Sequence, residues 1–141
     1  MSRYQQFHEF RSRLNCRILG SDEKRGSAPD GSPNVGATLV TKRFFTLDAQ
    51  AYQDGALPSR TKELMGLVAS MVLRCDDCVA YHVDQCIGLG VSDQEFFEAF
   101  DVALIVGGSI VIPHLRRAVD FLDAARQARA AGDAPACPAA P

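Results

Sequence analysis

SRTKELMGLVASMVLRCDDCVAYHVDQCIGLG, residues 59–90, decides the fold. Ser59 follows Pro58 and can cap a helix, and from Leu64 to Leu73 the chain is apolar around the whole helical circumference, which predicts a largely buried core helix. Glu63 is expected in its first turn, where the dipole favours a carboxylate that the chain then carries into apolar surroundings. A second helix is expected from about Cys75, with Asp76 and Asp77 as its first-turn acids, stopping at Gly88 to Gly90.

The same period continues on both sides. Ser92 followed by Glu95 forms a capping box ahead of Phe96, Phe97, Phe100, Ala103 and Leu104. After a break at Gly107 and Gly108, the stripe Val111, Leu115, Ala118, Leu122 and Ala125 predicts a long last helix. Upstream, a helix is expected over Thr46 to Asp54, ending at Gly55, with Leu47, Ala51 and Tyr52 inward. Phe7, Phe10, Leu14 and Ile18 mark one stripe of an N-terminal amphipathic helix, and Gly20 to Gly36 reads as a long exposed loop. No strand pattern competes. The expectation is an all-α bundle of about six helices without a sheet, divided into an N-terminal helix and loop (1–36), a helical catalytic domain (37–130) and a disordered tail rich in Ala and Pro (131–141).

A length of 141 residues suits one domain with a substantial core, and 47% hydrophobic with 23% charged residues is the balance of a soluble globular protein. The net charge of −2, with acids and bases intermingled, offers no footprint for a phosphate backbone or anionic lipid, so nucleic acid is not expected as a partner. Met1 to Leu14 lacks the apolar core of a secretory signal, and the most apolar run, Val102 to Ile112, is far short of the ~20 residues of a membrane span. A cytoplasmic location without membrane attachment follows as an expectation. The five cysteines (Cys16, Cys75, Cys78, Cys86, Cys137) form an odd set without framework spacing, leaving Cys75 and Cys78 as the close pair.

Cys75, Cys78 and His82 lie within about 60° of one another around a helix axis. At a helix N-terminus, exposed N–H groups and the dipole stabilise thiolate, the nucleophilic form, and His82 one turn beyond Cys78 can take or relay a proton. Asp76 and Asp77 oppose thiolate formation. Two thiols at this spacing allow a sulfenic acid on one to condense with the other. Three alternatives compete: inert buried thiols, a zinc site using Cys75, Cys78, His82 and Glu63, and a thioredoxin-like motif. Structural zinc normally needs a second Cys or His pair at short spacing, and a thioredoxin-like fold needs βαβ units; the sequence has neither. His114 reads as a hydrogen-bonded core histidine, Cys86 as a buried spectator thiol that could approach the site, Cys16 as packing and Cys137 as an exposed tail thiol.

Glu63, eleven residues, Cys75, two residues, Cys78, three residues and His82 together resemble the motif of the alkyl hydroperoxidase D-like proteins, in the carboxymuconolactone decarboxylase superfamily, over about residues 40 to 125. The resemblance implies an alkyl hydroperoxidase D-like helical bundle, assembly as a homotrimer or homohexamer, and a thiol-dependent antioxidant oxidoreductase that needs no bound cofactor or metal. It implies that Cys78 attacks a peroxide, that Cys75 resolves it as a disulfide, and that Glu63 and His82 relay protons through water. An external thiol, a lipoyl protein or a thioredoxin-like protein would then restore the dithiol. Helix-end physics alone favours Cys75 as the more exposed nucleophile. One departure stands out: family peroxidases often carry a histidine immediately before the second cysteine, where this chain has Asp77. The alternatives to peroxide reduction are a lactone decarboxylase of the γ-carboxymuconolactone type and a thiol redox sensor without turnover.

Overall fold

In the computed structural model of the chain, residues 1–133 are described, and among them seven α-helices and one short 3-10 turn account for the regular structure. Among the described residues no strand forms, and an isolated bridge joins Ser27 and Pro33. The all-α expectation holds, with one helix more than expected. The helices are α1 (Arg3–Leu19), α2 (Asp22–Arg25), α3 (Leu39–Ala51), α4 (Ser59–Val72), α5 (Asp76–Gly88), α6 (Asp93–Gly107) and α7 (Ile112–Ala130). Most of the expected tail, with Cys137, lies outside the described residues.

The chain divides into two compact units. In the unit formed by Gln5–Ala51, the extra helix α2 is a single turn inside the stretch expected to be loop. Asp22 and Glu23 at its start and Lys24 and Arg25 at its end match the helix dipole, which is enough for one turn and too short a pattern for apolar periodicity to reveal. The segment after it returns along the end of α1, where Ala37 N–H donates to the Ile18 carbonyl at 2.8 Å and Arg17 Nη1 to the Val35 carbonyl at 2.7 Å. Helix α3 starts seven residues earlier than Thr46 and stops before Tyr52, and it buries none of its residues; Leu47 is exposed rather than inward. On α1, Phe10 of the expected stripe is exposed and Tyr4 is the buried residue.

The other unit, Ser2–Tyr4 with the described chain from Tyr52 to Asp133, holds the core. Helix α4 packs against both α5 and α6, and α7 packs along α5. Leu67 and Met71 of α4, Val83 of α5, Phe96 and Phe100 of α6 and Phe121 of α7 are buried in the interior. Burying each such side chain is worth about 1.5–3 kcal/mol. The capping box of Ser92 and Glu95 forms as read, and Gly108, at φ 77°, ends α6. Ser59 does not cap α4; it is the first helical residue, and its N–H donates to Asp54 Oδ1 at 2.7 Å. Glu63 therefore stands in the second turn, not the first. Helix α4 is also less enclosed than its composition predicts, because one side is buried while Met65 and Leu73 are exposed on the isolated chain.

Two polar clamps tie the helices together. Asp84, buried on α5, accepts from the Tyr4 hydroxyl at 3.2 Å and from Arg129 Nη2 at 2.7 Å. Burial, then the Asp84 charge, pushes the Tyr4 phenol up to about 12. Arg60 of α4 donates to both carboxylate oxygens of Glu95, at 2.6 and 2.5 Å, so the residue that completes the α6 capping box also holds α4. That hydrogen bond from Arg60, reinforced by Ser92, holds the Glu95 carboxyl at about 2, well below its usual 4.5. A carboxyl depressed on folding stabilises the native state fully above its unfolded value and loses that contribution as pH falls through its folded value. The thermal midpoint should therefore drop between about pH 4.5 and 2, and Glu95→Gln should flatten that part of the curve; parallel curves for wild type and variant would refute the role of the clamp.

Candidate functional site

Cys75 is the N-cap of α5, and its Sγ accepts the Cys78 N–H at 3.3 Å while bonded covalently to the Cys78 sulfur. The two Cα atoms are 5.2 Å apart, within the usual range for a disulfide. The approach to this turn is set one residue earlier. Arg74 adopts φ 60°, and the Cys75 N–H reaches back to the Ser70 carbonyl at 3.0 Å while the Arg74 N–H reaches Met71. This is the left-handed helix ending normally given to glycine, here carried by a residue for which it costs about 1–2 kcal/mol. The tight joint tucks Cys75 against the end of α4, half-buried, and leaves Cys78 exposed. The order of exposure read from helix-end position alone is thus reversed.

Glu63 and His82 meet in the interior between α4 and α5. Glu63 is 3% exposed and His82 7%, and His82 Nδ1 lies 2.7 Å from Glu63 Oε2. With the proton on Nδ1 donated to the carboxylate, Nε2 is the free base. His82 stands four residues, about one helical turn, beyond Cys78 on α5. Tyr52 and Tyr81 flank the ring, with centroids 5.3 and 5.2 Å away. On the α4 side the ring lies against Gly66. A Cβ there would sit 2.5 Å from Cε1, 2.8 Å from Nε2 and 2.9 Å from Nδ1. Gly66 is three residues beyond Glu63, on the same side of α4, so the helix that supplies the carboxylate also supplies the gap.

Cys86 does not join the pair; it is fully buried, and burial followed by the Glu63 charge pushes its thiol up to about 12. Asp76 and Asp77 differ in their surroundings. Asp77 is exposed, whereas Asp76 bonds His114 Nδ1 at 2.7 Å and Arg117 Nη1 at 3.1 Å, both from α7. Among the described residues no group of three or more His, Cys, Asp or Glu is arranged to hold a metal ion. Gly66, Tyr52 and Tyr81 were not singled out for the site by sequence reasoning. Gly66 carried a usable signal, since a glycine inside an otherwise strong helix has a packing reason, but nothing in the sequence says what it packs against.

Gly66→Ala should force the imidazole away from α4 and lengthen or break the Glu63–His82 hydrogen bond. We expect lower stability by about 1–3 kcal/mol from the strained buried polar pair, and a changed His82 imidazole resonance in NMR titration. An unperturbed His82 signal in a variant as stable as wild type would show that the close approach is not needed.

The profile of the Carboxymuconolactone decarboxylase family matches residues 39–121, which include the cysteine pair, Glu63 and His82. Among curated proteins, the chain is 27% identical over 99 residues to an uncharacterized protein of the Paracoccus denitrificans cox locus, covering 70% of this chain and 89% of that protein. It is 30% identical over 111 residues to an uncharacterized Cupriavidus necator protein, covering 79% and 94%. Among solved structures, a Thermotoga maritima carboxymuconolactone decarboxylase family protein, for which a part in an antioxidative response has been suggested, superposes with TM-score 0.73 and 52% identity, covering 92% of this chain and 97% of that one. A Legionella pneumophila protein of the same family superposes with TM-score 0.53 and 28% identity, covering 62% and 76%. With its helices in this arrangement and the family profile spanning its core, the chain belongs to the carboxymuconolactone decarboxylase family.

Proposed function

We propose that the protein is a thiol-dependent antioxidant enzyme of the alkyl hydroperoxidase D-like kind, reducing peroxides through Cys75 and Cys78. The observation that carries this reading is the disulfide at the N-terminus of α5, one helical turn from a histidine that is buried against a carboxylate. The antioxidative response suggested for the Thermotoga relative agrees with it. In the proposed cycle the Cys78 thiolate attacks the terminal peroxide oxygen; the O–O bond breaks, a proton reaches the departing alkoxide or hydroxide, and Cys78 becomes a sulfenic acid. The Cys75 thiol displaces water from it, forming the disulfide. Two electrons from an external thiol, a lipoyl protein or a thioredoxin-like protein then restore both thiols. His82 Nε2, with Glu63 fixing its tautomer, moves the protons through water. No cofactor or metal enters this scheme. The described residues contain no helix long and apolar enough to cross a membrane, which is consistent with the cytoplasmic setting we propose.

Multiple-turnover peroxide consumption with a dithiol reductant tests the reading. We expect turnover in the wild type, none in Cys78→Ser, and a loss of about 10²-fold in Glu63→Gln. Absence of turnover with every thiol reductant would reject it, and lactone decarboxylation surviving the loss of both cysteines would favour the γ-carboxymuconolactone decarboxylase alternative. Disulfide formation that changes assembly without turnover would favour a sensor.

The reading includes a homotrimer or homohexamer. Leu64, Met65, Val68 and Val72 of α4 with Val102 and Val106 of α6 line an open hollow of about 590 Å³ whose walls carry no charged side chain. Ile105 beside it is 87% exposed. A second copy, presenting an equally uncharged face, is the occupant that suits this lining. Sedimentation should give a trimer or hexamer for the wild type and a smaller species for Val106→Asp; a monomeric wild type at micromolar concentration would remove this part of the proposal.

A further inference from the structure

The first helical residue of α5, directly after Cys75, is an acid, and a negative charge beside a thiol opposes the thiolate that the chemistry above requires. The structure deals with that charge in a definite way. Asp76 Oδ1 lies 2.7 Å from His114 Nδ1, and Asp76 Oδ2 lies 3.1 Å from Arg117 Nη1, so each carboxylate oxygen is taken by a separate nitrogen donor of α7. The side chain of His114 is 15% exposed and that of Asp76 32%, so the pair is partly shielded from water. Arg117 is positioned in turn, because Arg3 Nη1 donates to its carbonyl at 3.0 Å and pairs with Asp120 at 3.2 Å. Arg3 and Arg117 also border the same small hollow as Asp76. The titratable and charged groups around Asp76 are therefore Arg3, His114 and Arg117 from α1 and α7, with exposed Asp77 as its neighbour on α5. On α4, Glu63 is engaged with His82.

We propose that His114 and Arg117 are positioning residues for the dithiol: by drawing the Asp76 carboxylate onto α7 they offset its charge at Cys75 and anchor the first turn of α5, so that the reduced pair forms thiolate more readily. Neither residue touches a sulfur in this role; both act through Asp76. A more stable thiolate in the reduced form makes the disulfide easier to reduce, so the same contact raises the oxidising strength of the pair.

This inference rests on the proposed dithiol chemistry only in taking Cys75 and Cys78 as the reacting pair, and it is tested without peroxide. The reduced full chain is alkylated with iodoacetamide across a pH series, with modification of Cys75 and Cys78 read by peptide mass, and the dithiol–disulfide equilibrium is measured against glutathione. In His114→Asn combined with Arg117→Gln, the alkylation profile should move up by about half a pH unit, a shift reduced from the buried-site range by solvent screening, and the glutathione equilibrium should move about 3-fold toward the disulfide. Adding Asp76→Asn to that variant should restore the profile, although it restores no lost contact. Asp76→Asn alone, which keeps the shape of the side chain and leaves His114 and Arg117 without their acid, should move the profile below that of wild type. Should the double variant fail to fold, this single variant decides the matter. An unchanged or upward profile in Asp76→Asn, or a folded double variant that alkylates like wild type, overturns the proposal. Loss of peroxide turnover with these shifts intact would instead count against the peroxidase reading alone.

Discussion

The hydrogen bond between Glu63 and His82 is the constraint on which the arrangement of α4 and α5 depends. Two polar side chains, each nearly inaccessible to water, have one another as partner, and removing either would leave the other stranded at a cost of about 1–3 kcal/mol. Such a bond tolerates little variation in distance, so it fixes the separation of the two helices where they cross. Gly66 makes that separation attainable by letting an aromatic ring lie directly on the α4 backbone. The apolar core around Leu67, Met71 and Val83 supplies the favourable burial, and the buried pair selects which of the many apolar packings is adopted.

Around this pair the protein handles its charges by position. Asp84 is buried but met by Tyr4 and Arg129, Glu95 is shared between Arg60 and its own helix cap, and Asp76 is drawn onto α7. Each of these acids belongs to the first turn of a helix or faces a neighbouring one, and each is answered by a cation or donor from a different helix. The polar contacts therefore do what loops would do in a looser fold, joining α4 to α6 and α5 to α7. None of these charges lines the hollow between α4 and α6, whose walls are uncharged.

What the sequence made legible follows from the range over which each signal acts. The 3.6-residue period and the Ser92–Glu95 capping box are local, and the helices they predict formed, α6 with its expected cap and α4 without the one expected from Ser59. The spacing of Glu63, Cys75, Cys78 and His82 is nearly local too, since two consecutive helices joined without slack have few ways to pack. Long-range facts were hidden. Nothing near Asp76 announces that His114 and Arg117, 38 and 41 positions away, would reach it, and nothing near Tyr52 places it beside His82. The exposure of Met65 and Leu73 was misread for a related reason: an all-round apolar helix implies complete covering, but not that one chain supplies all of it.

The joint at Arg74 has a consequence for how this motif can vary. Helix α4 ends and α5 begins across three residues, Leu73 to Cys75, with the Cys75 N–H already bonded back to Ser70. There is no loop in which a change of length could be absorbed. One inserted residue would have to be taken up inside a helix, rotating everything beyond it by about 100° and carrying His82 away from Glu63 while leaving both helices intact. The eleven residues between Glu63 and Cys75 thus behave as a ruler. Substitutions along it can be tolerated one by one, but its length cannot drift, and the four residues remain findable in sequence long after the helices between them have changed composition.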